Sequence, residues 1–172
     1  MHPASQALMG QFVAEHLNPG DRLEVYDIGS FGKPDASYRM LFNKPRWNYT
    51  GVDRIPGENV DIVLSHEHKW PEIPERVADV VISGQCLEHV RFFWLVAMEM
   101  TRILKPGGKI CLIAPSSGRI HQYPLDCWRF LPDGFRALAD YCLWEVIRCE
   151  IPKDASRNWQ DCLLIAQKPL EA

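Results

Sequence analysis

Several features that would narrow the function of a 172-residue chain are missing from this one. No run of Lys or Arg tracks a phosphate backbone: the 19 basic residues are scattered among 22 acidic ones, for a formal net charge of -3. Nucleic acid is therefore not an expected partner. The longest mainly apolar stretch, Phe92 to Met100, is far short of the roughly 20 residues that a membrane span needs. The start, Met1-His-Pro-Ala-Ser5, lacks a basic-then-apolar leader pattern, so no membrane partner is expected and the cytoplasm is the expected compartment. The six cysteines (Cys86, Cys111, Cys127, Cys142, Cys149 and Cys162) make no Cys-x-x-Cys and no paired Cys/His spacing, which argues against structural zinc. Cys111 and Cys162 lie inside apolar, strand-like runs, as small core residues do. Repeats and low-complexity tracts are absent as well.

With 47% apolar and 24% charged residues, the chain has the composition of one soluble domain over 1–172, and two domains would be cramped. The most informative stretch is Leu23-Glu-Val-Tyr-Asp-Ile28, a short apolar strand that runs into Gly29 and Gly32, where backbone can turn sharply and a ligand can come close. Two glycines after a strand also fit a purely structural turn. The next strand, Trp47-Asn-Tyr-Thr-Gly-Val-Asp53, tilts the balance because it ends on an acid. A carboxylate at a strand tip, roughly 20 residues past a glycine turn, is placed to accept hydrogen bonds from both hydroxyls of a ribose.

In chain order, Ser5 is expected to cap a first helix ending near Leu17, and residues 34–42 form at best a short helix before Pro45. Asn59 to Leu64 and Val77 to Ser83 read as strands three and four. Leu87 to Leu104 reads as one long helix with Phe92, Val96, Met100 and Ile103 on one face, stopped by Lys105-Pro-Gly-Gly108. Lys109 to Ala114 follows as strand five. A long polar loop from Pro115 to Phe130 has the length at which loops carry function. Asp133 is expected to cap a helix over Gly134–Tyr141, and Trp144–Cys149 with Cys162–Gln167 resemble an antiparallel hairpin. The β-turn-helix-turn-β rhythm before it means parallel strands.

The order of Val25-Tyr-Asp-Ile-Gly-Ser30, Tyr49-Thr-Gly-Val-Asp53, Asp79-Val-Val-Ile-Ser-Gly-Gln-Cys-Leu-Glu-His-Val90, Arg102-Ile-Leu-Lys-Pro-Gly-Gly108 and His121-Gln-Tyr-Pro-Leu-Asp-Cys-Trp-Arg-Phe130 resembles class I S-adenosylmethionine-dependent methyltransferases, closest to the small type-11-like group. The likeness runs from about residue 23 to 167. It implies a Rossmann-like three-layer α/β domain with a seven-stranded, mostly parallel sheet and an antiparallel last strand. It also implies S-adenosyl-L-methionine as cofactor. Carried over by position, Asp27, Gly29 and Ser30 would edge the methionine pocket, Asp53 would bind ribose, Arg54 would lie beside adenine, and Ser83 and Gln85 would lie under the methionine part. Phe31 and Lys33 stand where the family commonly has glycine, so Phe31 is expected to narrow the pocket. No residue matches a family base.

Methyl transfer to a hydroxyl is helped by a base, and His121 and Asp126 are the candidates because their loop follows a central strand. Each has a plainer reading: Asp126 pairs with Arg129, and His121 bonds backbone to shape the loop. His89 is a candidate substrate contact, whereas Glu88 is explained by a helix dipole. Ser37, Tyr38 and Arg39 form a possible substrate rim. His66 and His68 flank Glu67 but offer only two imidazoles, so no metal is expected; Glu67 is instead a candidate neighbour of adenine. A nicotinamide-dependent oxidoreductase would also use Asp53, yet the G-x-G-x-x-G pattern is absent. A domain that binds the cofactor or a partner without catalysis is the remaining class. By resemblance the acceptor is a small molecule with a sugar-like or natural-product hydroxyl; oligomeric state is open.

Overall fold

The structure is a computed structural model and describes residues 3–33, 37–152 and 159–170. Among these, α1 spans Pro3–His16, β1 Leu23–Ile28, β2 Trp47–Asp53, β3 Ile62–Val63, β4 Ala78–Gly84, α2 Phe93–Ile103, β5 Leu104–Pro115, α3 Pro132–Tyr141, β6 Glu145–Glu150 and β7 Asp161–Gln167. Two 3-10 turns, Tyr38–Phe42 and Leu87–His89, replace fuller helices. The strands form one sheet in the order β3-β2-β1-β4-β5-β7-β6. Every pair is parallel except those of β7, which runs antiparallel to β5 and β6. No helix is long and apolar enough to cross a membrane among the described residues.

Burial on both sheet faces explains why the central strands read as unbroken apolar runs. Alternate residues divide between two cores. Val81, Ile110, Leu112 and Leu164 pack with Met100, Ile103 and Phe135 on one face. Val80, Ile82, Cys111, Ile113 and Leu163 pack with Leu8, Met9 and Phe12 of α1 on the other. The expected three-layer α/β domain is thus the one observed. All six cysteines are free thiols, and Cys111, Cys142, Cys149 and Cys162 are buried.

Five local expectations are corrected. Ser5 does not cap α1; it is buried within the helix and its hydroxyl bonds that of Tyr38. The third strand is only two residues long, because Asn59 and Asp61 are held by side chains instead: Arg39 Nε donates to Asn59 at 2.6 Å and Gly51 N to Asp61 at 2.7 Å. The long helix breaks, with Val90 extended and α2 starting at Phe93. Cys127 N donates to the Glu88 carbonyl at 2.7 Å and Trp128 Nε1 to the Val90 carbonyl at 2.9 Å, so the acceptors a continuous helix would use belong to the loop. Lys105-Pro-Gly-Gly108 lies within β5 as a bulge opposite Asp79, which Lys105 pairs at 2.7 Å. At α3, Leu131 rather than Asp133 is the N-cap, and Pro132 opens the helix with its φ already set.

Buried Tyr38 also explains Gly84, since a Cβ there would lie 1.9 Å from the Tyr38 hydroxyl. Gly84→Ala is expected to lower unfolding free energy by about 1–3 kcal/mol in a denaturant titration, the usual cost of overpacking; an unchanged midpoint would mean that Tyr38 is not pinned. Beneath the tips of β1 and β2, Asp27 is 2% exposed and accepts a hydrogen bond from the Tyr49 hydroxyl. Burial pushes its carboxyl up to about 7, with the Tyr49 bond opposing and Asp53 adding. A raised acid favours the native state while protonated, so this contribution is full below about 4 and is lost as pH rises through about 7. Compared with Asp27→Asn by thermal melts, the wild-type chain should lose stability between those values and run parallel above them.

Candidate active site

β1 and β2 pair in register from Leu23↔Trp47 to Ile28↔Val52, so their carboxyl ends finish level. Between β1 and β4 the strand order reverses, and a cavity of about 1030 Å³ opens there, outside the ends of β1, β2 and β4. Open α/β sheets bind ligands at such a reversal, and the volume is at the top of the usual range of about 300–1,000 Å³ for ligand sites. A hollow of about 200 Å³ near Leu23, Asp79 and Lys109 lies at the amino ends of the strands, away from this chemistry.

One end of the cavity is made by Gly29, Phe31, Asp53, Arg54 and Ile55. Asp53 sits at the tip of β2, where its two carboxylate oxygens accept from Phe31 N and Ile55 N, each at 3.0 Å. The carboxylate has about four acceptor sites and two are used, leaving capacity for a pair of hydroxyls. Gly29 has φ +84° and its N donates to the Val52 carbonyl at 2.9 Å. A Cβ on Gly29 would meet Cys86 Sγ at 2.4 Å, so the glycine is required by the close approach of Cys86, a role the motif alone does not reveal. Phe31 lines the cavity, as expected of a side chain that narrows it, and Glu67 and Trp70 line it beyond Asp53. The residues present fit an adenosyl group: an acceptor pair for ribose stands at the rim of an apolar-walled space.

Of the other residues assigned to the cofactor by position, Gln85 lines the cavity at φ +58°, its side chain donating to Asp161 at 3.0 Å. Asp27, Ser30 and Ser83 are buried behind the wall. Ser30 Oγ donates to the Asn59 carbonyl at 3.2 Å and Ser83 Oγ to the Ile28 carbonyl at 2.7 Å, so these hydroxyls tie the loop to the strands. The suggested rim of Ser37, Tyr38 and Arg39 is not at the cavity: Ser37 and Tyr38 are buried, and Arg39 pairs with Asp61.

His89, His121, Tyr123 and Leu125 form the opposite end. The His89 and His121 rings meet edge to face with centroids 4.9 Å apart. Asp126 does not line the cavity; it pairs with Arg129 at 2.5 Å and accepts from His121 N at 2.7 Å. Arg129 holds its carboxyl far below the usual carboxylate range, which leaves it a poor proton acceptor. His121 Nδ1 lies 3.3 Å from the Arg119 carbonyl and 3.4 Å from Asp126. The residue that sequence reasoning passed over is Glu88. It lies in the first turn of the 3-10 segment Leu87–His89 yet is 0% exposed, and neither carboxylate oxygen has a hydrogen-bond partner among the described residues. Burial pushes its carboxyl up to about 7. An acid between Leu87 and Val90, both buried, was the available signal.

A family model described as a methyltransferase domain matches residues 34–112. No curated protein matches the chain. Among solved structures, the [4+2]-cyclase SpnF is similar, with TM-score 0.72 at 15% identity over 95% of this chain and 81% of that one. A SAM-dependent methyltransferase from Aquifex aeolicus gives 0.69 at 14% identity over 96% and 93%. The 1,6-didemethyltoxoflavin-N1-methyltransferase of Burkholderia thailandensis, solved with 1,6-didemethyltoxoflavin and S-adenosylhomocysteine, gives 0.72 at 13% identity over 96% and 79%. Identities this low carry the fold alone, and the likeness to a methyltransferase domain rests on residues 34–112.

Proposed function

We propose that the protein is a cytoplasmic enzyme that moves the methyl group of S-adenosylmethionine to a hydroxyl of a small-molecule acceptor. The observation that carries this reading is a single cavity with the free acceptor sites of Asp53 at one end and the imidazoles of His89 and His121 at the other. When bound, the cofactor supplies a sulfonium methyl that departs by in-line displacement, so the protein's work is alignment and exclusion of water. Asp53 holds the ribose hydroxyls, Arg54 flanks the base, and Gly29 and Gln85 border the methionine part. Asp27, Ser30 and Ser83 act from behind by fixing the strand ends and loop that carry these contacts. His121 is placed to meet the acceptor's hydroxyl, and Asp126 is a positioning residue that holds the main chain and ring of His121. The cavity's two ends belong to one chain, so one copy supplies both cofactor and acceptor contacts.

Calorimetry should show S-adenosylmethionine and S-adenosylhomocysteine binding and no binding of NAD. Asp53→Ala should weaken that binding at least roughly tenfold, the value of a hydrogen bond to a charged group; unchanged affinity would sink the ribose assignment. With a panel of sugars, phenols and amines, methyl release should occur with a hydroxyl-bearing member, and none with any member would point to a binding domain. On a working acceptor, His121→Ala should cut turnover about a hundredfold or more while affecting cofactor affinity far less, the span of acid–base effects. Equal losses in both quantities would place His121 in cofactor binding instead.

A further inference from the structure

Glu88, His89 and His121 bring one donor atom each within 4.8 Å of one another. We infer that this trio is a binding site for a divalent transition cation of the zinc class, at the acceptor end of the cavity. The inference rests on the methyltransferase reading only for what the ion would act on, not for the site itself.

Two histidines and one carboxylate are a donor set found in catalytic zinc centres. What points to a ligand is Glu88. A carboxyl group 0% exposed, with no hydrogen-bond partner for either oxygen among the described residues, is costly to bury in its charged form unless a cation meets it. Its Oε1 lies 3.6 Å from His89 Nε2, beyond hydrogen-bond reach and close enough to share an ion.

The imidazoles are held as metal ligands usually are, with the second ring nitrogen engaged elsewhere. His89 Nδ1 is 2.5 Å from the Leu125 carbonyl, which sets its proton on Nδ1 and leaves Nε2 with a lone pair toward Glu88. His121 Nδ1 faces the Arg119 carbonyl and the Asp126 carboxylate at 3.3 and 3.4 Å, so its Nε2 is likewise the nitrogen left over. This gives Arg129 and Asp126 a purpose: an ionised carboxylate behind a ligand histidine fixes its tautomer and raises its donor strength. His121 stands on a loop with its side chain 37% exposed, so it is the member able to close the trio onto an ion.

Three protein donors leave coordination positions open, and His89 and His121 line the cavity, so those positions face the space assigned to the acceptor. A cation there would polarise an acceptor hydroxyl, whose proton would pass to solvent as the sulfonium methyl is transferred, with His121 serving by holding the ion. The pair His66 and His68, which the sequence offers more readily, belongs to no such trio among the described residues, and His68 Nε2 lies 3.3 Å from Glu67.

The test uses the full chain with neither cofactor nor acceptor. Metal-stripped protein titrated with Co²⁺ should bind one equivalent and develop visible d–d absorption, and Zn²⁺ should displace it. Glu88→Gln, which keeps the buried volume, and His89→Gln should each abolish the absorption or weaken binding more than a hundredfold. Asp126→Asn, behind His121, should weaken it roughly 10- to 100-fold, as loss of such a partner does. Melting of each variant without metal confirms that it is folded. Absence of Co²⁺ and Zn²⁺ binding by the wild-type chain, or binding undiminished in folded Glu88→Gln and His89→Gln, overturns the inference. Binding of S-adenosylmethionine measured on the same preparation keeps the two readings apart, since a chain that takes up cofactor but no metal loses only the metal site.

Discussion

The hydrogen bond from Phe31 N to the Asp53 carboxylate is the contact on which the site depends. It joins the turn after β1 to the tip of β2, and it can form only because six consecutive residue pairs keep the two strands in register. A slip of one residue would turn Asp53 to the other face of the sheet and carry Gly29 away from Val52. The same carboxylate closes its own turn through Ile55 N, so it is oriented before any ligand arrives. An acceptor fixed in this way would lose little freedom on binding a ligand.

The far end of the cavity is held by a different force. The loop from Ser116 to Leu131 has no regular structure of its own, yet its aromatics lock it down. Phe93 meets Phe130 at 5.0 Å and Trp128 at 5.3 Å, and Phe130 stacks on Phe135 at 4.8 Å. Such pairs contribute about 0.5–1.5 kcal/mol each beyond burial. The loop also takes the Glu88 and Val90 carbonyls as acceptors, and thereby breaks the helix that the sequence between Leu87 and Leu104 would otherwise form. The break is what presents His89 to the cavity and drives Glu88 inward. Stability and site construction are therefore one event: the apolar ring packing that anchors the loop also sets the distance between the two histidines.

Two buried acids, Asp27 and Glu88, show how differently burial can be handled. Asp27 has the Tyr49 hydroxyl as donor and lies under the strand tips, where its role is to hold β1 against β2. Glu88 has no donor among the described residues and faces the imidazole pair. A satisfied buried acid is architecture; an unsatisfied one beside two histidines awaits a cation or a proton.

The sequence by itself determined the class of fold and the place of Asp53 at the tip of β2. Continuous apolar runs at β1, β4 and β5 announce a sheet buried on both faces, and an acid at the end of β2 announces its place because strand residues are local in both sequence and space. Where that locality fails, tertiary structure decided. Asp27 and Ser83 carry the motif's residues but face backward, since the pleat alternates and only the three-dimensional sheet says which face meets the cavity, and Ser30, in the turn after β1, is turned inward to the Asn59 carbonyl. Whether Asp126 is a base or a partner of Arg129 was open until the loop's path set them 2.5 Å apart. Likewise Glu88 reads as a helix-start acid on periodicity alone; its burial against His89 and His121 comes from carbonyl hydrogen bonds made by residues some 40 positions later, which no local pattern encodes.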